Sequence, residues 1–329
     1  MTFAFSRRRF LASTASAGLG LAAAPTVLAQ GTPVSRIVVG FAPGGMADAV
    51  ARMIAAAMSS ASHSIVVENK PGASGQLAVE TVRLAAPDGN TLLVTPSSIL
   101  SLVPQLYSKR AFDSFKDLSP VACVCDHSFG LAVAGNSPIK TFADFVAAVK
   151  ANPSQAAYAQ GGGGPGSAMH FLGMTLSREI GVPMTHVAYK GTSLALQDVI
   201  GGQVLSTVSP YPTMIEMHKA GRLRILAVSN PTRVSSLPDV PTFAELRLPA
   251  MELVEWYGVF TSSKVPAEAI AKWEQRVQQA MKRPEVINTS SKLEIERRPL
   301  GAQRLGQMLA SDYTRWAKEV KETGLSLDS

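Results

Sequence analysis

Cysteine is scarce in this chain, with two in 329 residues, Cys123 and Cys125. A Cys-x-Cys pair in a strand puts both thiols on one face, and a bridge across so short a loop is strained. Too few other ligands lie nearby to complete a metal site, so two buried structural thiols are expected. Histidine is sparse as well: His63, His127, His170, His186 and His218. No His-Glu-x-x-His metal helix and no Gly-x-Ser-x-Gly elbow occurs, which removes two common hydrolase signatures. His170, one turn into a helix after Ser167, is placed like a base beside a nucleophile, but such a histidine is more often a helix-face residue. Aromatic residues make up 6% of the chain, too little for base-stacking or sugar-binding platforms. The formal charge is +7, and three of the arginines, Arg7 to Arg9, fall in the first 29 residues together with no acid. The remainder therefore carries +4, without the clustered excess of a nucleic-acid binder. Past the N-terminal segment no apolar run reaches membrane-spanning length.

The first 29 residues have the pattern of an export address. Ser6-Arg7-Arg8-Arg9-Phe10-Leu11 precedes a small and apolar run from Ala12 to Ala24, with a small residue at the expected cut after Ala29. Consecutive arginines before Phe-Leu point to twin-arginine export, with an ordinary secretory signal as the alternative. The expected location of the mature chain is the periplasm.

The remaining 300 or so residues, at 46% hydrophobic overall, can bury a large core and suggest two domains. Ile37-Val38-Val39 reads as a buried strand. It runs into Gly40-Phe41-Ala42-Pro43-Gly44-Gly45-Met46-Ala47-Asp48 and then an Ala-rich helix. A strand, glycine turn and helix start direct unpaired N–H groups and the positive end of a helix dipole at whatever sits above the turn. Asp48 either caps its helix or meets a donor on a ligand. Strands at 64–69, 91–94, 121–124 and 131–134 alternate with helical segments, implying a parallel α/β sheet with ligands at the strand carboxyl ends. After the helix from Thr141 to about Ala151, Tyr158-Ala159-Gln160 leads into Gly161-Gly162-Gly163-Gly164-Pro165-Gly166-Ser167 and another helix. This second glycine loop is neither a Walker loop nor a dinucleotide fingerprint. Two such loops at equivalent positions favour a bound anion over a purely structural role.

Several ordered motifs accompany the loops: the run from Ile37 to Arg52, Val67 to Ala73, Ala86-Pro87-Asp88-Gly89, Tyr189-Lys190-Gly191, Gly201-Gly202-Gln203-Val204, Ala220 to Arg224, Leu237 to Thr242 and Trp256-Tyr257-Gly258. Their order and spacing resemble the Bug-type extracytoplasmic solute receptors of tripartite tricarboxylate transporters, across nearly all of the mature chain. The resemblance implies a periplasmic-binding-protein-like α/β fold (type II) of two α/β domains with a ligand cleft between them. It implies domain 1 from residues 30–133 plus 256–329 and domain 2 from 134–255. It implies a small carboxylate ligand, membrane permease subunits as partners, a monomer, and no metal, cofactor, nucleic acid or catalysis. A ligand-sensing receptor for a signalling partner is the alternative role, with a secreted hydrolase a more distant one. The candidate ligand-binding residues are Phe41, Ala42, Gly44, Gly45 and Asp48 in the first loop, Ser97 after the third strand, Gly163, Gly166 and Ser167 in the second loop, Tyr189 and Thr192 at the next turn, and Tyr211 at a late strand end. The chain departs from the family pattern at Met46-Ala47, where hydroxyl residues are common, and at Leu205, where an acid is common.

Overall fold

The computed structural model describes residues 34–162, 164–323 and 326–327. The expected export segment and Gly163 lie outside the described residues. Three strands rich in branched residues, β1 (Val34–Val39), β2 (Ser64–Asn69) and β3 (Thr91–Pro96), run parallel in the order β2-β1-β3. Helices α1 (Met46–Met58) and α2 (Gln76–Arg83) make the crossovers, and the short α3 (Ser97–Ser101) follows β3 directly. Val50, Ala51, Ile54 and Ala57 form the buried stripe of α1, packed on Ile37, Val39 and Val94 of the sheet.

The next element differs from the sequence expectation. Residues 121–124 and 131–134 belong to one 17-residue strand, β4 (Leu118–Ala134). The polar Asp126-His127-Ser128 reads as an interruption, yet all three residues are buried. Residues 118–128 of β4 pair antiparallel with β9 (Val254–Ser262), which also pairs with β3, while β10 (Glu296–Gly301) lies on the other edge. From Phe129 onward β4 changes partners, to β7 (Ser206–Pro210) and β8 (Leu223–Val228). Beyond β7 lie β5 (Ala157–Gly161) and β6 (Thr185–Tyr189), parallel to each other. Helices α4 (Phe142–Ala151), α5 (Ala168–Ile180), α6 (Thr192–Ile200) and α7 (Ile215–Lys219) belong to this second lobe. Two α/β lobes therefore share β4.

The cysteines show what a bulge does to face assignment. Cys123 stands opposite Gly258 and Cys125 opposite Tyr257, so Val124 is an extra residue in β4. That inverts the alternation. Cys123 packs with Val38, Leu93 and Phe260 on one side of the sheet, and Cys125 with Ile37, Val94 and Trp273 on the other. The thiols are buried and free, but on opposite faces. Burial pushes Cys123 up to about 12.

The C-terminal segment supplies α8 (Ala267–Ala280), α9 (Pro284–Lys292) and α10 (Ala302–Thr323). α10 ties the lobes together. Its Leu305 and Leu309 sit in the core around Phe260, and its Trp316 and Val320 in the core of the second lobe around Phe171 and Tyr158.

Candidate functional site

Both glycine loops meet at the join between the lobes. In the first, Gly44 takes φ +84°, a left-handed turn that glycine adopts without strain. Gly45 at φ −89° starts α1 without any side-chain cap. Its helix therefore begins with unpaired N–H groups at Met46 and Ala47, both on the cavity wall. Asp48 faces away from that cavity. Its carboxylate accepts the Gly44 N–H (3.0 Å), Arg52 Nε (2.9 Å) and Asn69 Nδ2 (2.9 Å), while Asn69 also donates to the Phe41 carbonyl. Burial alone would raise the Asp48 pKa, but the bonds from Arg52, Gly44 and Asn69 outweigh it and hold the pKa below the usual 3.8. Asp48 thus shapes the loop.

In the second loop, Ser167 caps α5. Its Oγ accepts the His170 backbone N–H (3.3 Å) and Gln160 Nε2 (2.9 Å), which leaves its own hydroxyl proton to give. The His170 ring accepts from the Gly166 N–H (3.1 Å) and lies tilted 4.4 Å from the His186 ring, and burial lowers its pKa to about 4. Ser167 therefore meets the backbone of His170, and the ring is spent on the loop. Gln160 is fully buried and also holds the Gly162 carbonyl and His186. Thr192, the first residue of α6, donates to the Gly161 carbonyl at 3.0 Å. A Cβ on Gly161 would lie 2.1 Å from the Thr192 Cα, so only glycine permits this approach.

Three helices of eight or more residues, α1, α5 and α6, thus begin around one cavity. Phe41, Ala42 and Gly45 line it from one side, with Gly162, Ser167, Met169 and Thr192 opposite. Its floor is Ser98, His127, Phe129, Glu255 and Tyr257. Among the described residues no lysine or arginine lines it, and Glu255 is the one acid. The inner space is about 30 Å³, room for a very small number of waters. The lobes touch over it: Ser74 Oγ donates to the Pro165 carbonyl at 2.7 Å. Phe41, Ala42 and Gly162 also border a wider outer cavity of about 660 Å³, where Tyr189 and Lys190 stand.

Of the residues expected from sequence, Phe41, Ala42, Gly45, Ser167 and Thr192 come together on the inner cavity. The others do not. Gly44 lines a separate pocket beside α6, and Tyr189 lines the outer mouth with its hydroxyl on Asp198 at 2.5 Å. Ser97 is turned into α3, its carbonyl taken by Ser101, and the neighbouring Ser98 faces the cavity instead. A Cβ on Gly166 would meet Leu106 and Leu327 at 2.7 Å, away from the cavity wall. Tyr211 donates to the Glu294 carbonyl and lines a pocket behind the sheet. The floor pair His127 and Glu255 was not legible. They lie on adjacent strands far apart in sequence, and only the pairing of β4 with β9 joins them.

This arrangement defines a two-lobed α/β solute-binding protein with its site in the cleft between the lobes. The model of the tripartite tricarboxylate transporter family receptor matches residues 32–325. The chain belongs to that family, and its function is solute capture for a transporter. A UPF0065 protein of Cupriavidus necator is 31% identical, over 97% of this chain and 98% of that one. The solved structure of the periplasmic binding protein BugD is 27% identical with TM-score 0.84, covering 90% of this chain and 99% of its own. MatC of Rhodopseudomonas palustris, solved with bound malate, is 29% identical with TM-score 0.80, covering 87% and 98%. Among the described residues no helix is long and apolar enough to cross a membrane.

Proposed function

We propose that the mature chain is a periplasmic, monomeric receptor that captures a small carboxylate between its lobes and presents it to membrane permease subunits of a tripartite tricarboxylate-type transporter. The observation that carries this reading is the convergence of the α1, α5 and α6 N-termini on one cavity that, among the described residues, has no lysine or arginine on its wall. Backbone N–H groups and helix dipoles are then the positive features available there, and they suit a carboxylate. The malate held by MatC is a ligand of the same class. The inner contacts are assigned to Phe41, Ala42, Gly45, Ser167 and Thr192, joined by Met46, Ala47 and Ser98. The work assigned here is binding: Ser167 Oγ meets the His170 backbone N–H, and the His170 ring is taken by the Gly166 N–H.

The small inner volume requires the lobes to part for entry. The hinge is assigned to β4 between Ser128 and Phe129 and to the start of β9 at Val254, a few residues from the division into 30–133 plus 256–329 and 134–255. Export through residues 1–29 completes the reading, and Arg7→Lys with Arg8→Lys is expected to hold the precursor in the cytoplasm; normal export would remove the twin-arginine route. The binding reading is tested by thermal melts against small carboxylates. A ligand at about 100 times its Kd stabilises by about 2.7 kcal/mol, a shift of several degrees. Ser167→Ala is expected to weaken binding about ten- to a hundredfold. No shift with any mono- or dicarboxylate would refute carboxylate capture.

A further inference from the structure

The floor of the cleft holds a pair of buried polar groups whose hydrogen-bonding capacity is largely unused. Glu255 is 5% exposed and His127 4%. Glu255 Oε1 accepts the Ser98 N–H at 3.0 Å, and its Oε2 stands 3.6 Å from His127 Nε2, too far for a hydrogen bond. The imidazole is packed between Phe129 and Tyr257, each 5.0 Å away, beside the Glu255 backbone, and neither ring nitrogen makes a hydrogen bond of good geometry. Buried polar groups in folded proteins are nearly always paired, so unpaired ones facing a binding cavity call for an occupant.

We propose that Glu255 and His127 read the far end of the ligand, selecting a monocarboxylate that carries a hydrogen-bond donor (ammonium, amide or hydroxyl) over a dicarboxylate. The assignment rests on the carboxylate reading above and adds the second half of the ligand. One carboxylate is satisfied at the helix N-termini. A second would meet Glu255, with no lysine or arginine among the described residues of the cavity wall to offset the repulsion. A donor group instead gives the Glu255 carboxylate a further bond beside those from Ser98.

The surroundings of Glu255 support a mixed protonation state that a ligand can tip. Burial lifts its pKa to about 7; the bonds from Ser98 and the charge of Arg315 lower it, and Asp312 on the same helix raises it. Burial holds His127 near 3, so the imidazole is neutral and acts as one donor and one acceptor. Tyr257, stacked on that ring, stays protonated. A donor-bearing ligand binds the ionised carboxylate. A dicarboxylate binds only with a proton on Glu255, and above about pH 7 its affinity falls about tenfold per pH unit.

The test is calorimetric titration of the full mature chain and of Glu255→Gln with matched four- to six-carbon probes: dicarboxylates, their half-amides, hydroxy acids and ω-amino acids. Titrations at about pH 6 and 8, in buffers of different ionisation enthalpy, count protons exchanged on binding. In the wild type at pH 8, donor-bearing monocarboxylates are expected to bind at least about tenfold tighter than the dicarboxylates, which take up close to one proton. The amide introduced by Glu255→Gln still offers an oxygen to the Ser98 N–H and adds a donor, so the variant should bind dicarboxylates about tenfold or more tighter at pH 8, without proton uptake. Equal binding of all probes without proton uptake, or an unchanged order in the variant, overturns the assignment and leaves carboxylate capture standing. Binding of none of the probes by either protein overturns both. Should the variant fail to fold, the proton count in the wild type decides.

Discussion

Replacing Glu255 by glutamine should change how stability depends on pH by an amount set by the burial of one carboxyl. Burial lifts Glu255 from the ordinary 4.5 to about 7, with partial relief from the Ser98 bonds. The folded state thus holds this proton more tightly than the unfolded chain. Below about pH 4.5 both states are protonated and Glu255 costs nothing. Between 4.5 and 7 the folded state loses about 1.4 kcal/mol per pH unit, and above 7 the loss levels off near 3 kcal/mol. His127 acts in the opposite sense. Burial lowers it from 6.5 to about 3, so its contribution is complete above 6.5 and is lost as pH falls toward 3. In the wild type the two slopes cancel between about pH 4.5 and 6.5, which hides both. Subtracting wild type from Glu255→Gln removes the His127 part to first order. Urea unfolding at about pH 4, 6 and 8 should show the difference moving toward the variant by about 3 kcal/mol from the lowest pH to the highest. A difference that stays flat within about 1 kcal/mol would mean that Glu255 is solvated or charge-compensated in the folded protein, and the reasoning about the cleft floor would fall with it.

Two other expectations follow from the geometry. Asp48→Ala leaves the Gly44 N–H without its acceptor and removes one of the two acceptors of Asn69 Nδ2, and should lower stability by about 2–3 kcal/mol in urea unfolding; a loss under about 0.5 kcal/mol would show that Asp48 does not hold the first loop. Small-angle scattering should give a smaller radius of gyration with a bound carboxylate than without, by a small margin because α10 enters the cores of both lobes. An identical value would mean a rigid cleft.

What the sequence disclosed, and what it hid, follows from the range of the forces involved. Strand, glycine turn and helix start are local, and the residues they carry at those positions, Phe41, Ala42, Gly45, Ser167 and Thr192, come together on one cavity. Which way a side chain leaves a turn is not local. Asp48 is drawn outward by Arg52 and Asn69, and Tyr211 is drawn behind the sheet by the Glu294 carbonyl. The long strand β4 was hidden by its polar centre, because Asp126 is buried through an ion pair with Arg298 at 2.7 Å, a partner contributed by a distant strand. The bulge at Val124 likewise has no local signal, and it alone puts Cys123 and Cys125 on opposite faces.

The central claim, that a carboxylate sits on the turn before α1, is tested most directly by titrating the strongest carboxylate from the melt screen into wild type and Gly45→Val side by side. Gly45 has φ −89°, which any residue adopts, so the substitution brings no backbone strain. A Cβ there stands 3.8 Å from both the Ala42 carbonyl and Thr192 Oγ1, in ordinary contact, so valine adds its bulk beside Ala42 and Thr192. The wild type should give a saturating one-to-one heat. Gly45→Val should melt cooperatively, within about 1 kcal/mol of wild type, and give no heat of binding. An unchanged Kd in the variant would place the ligand elsewhere and contradict the account.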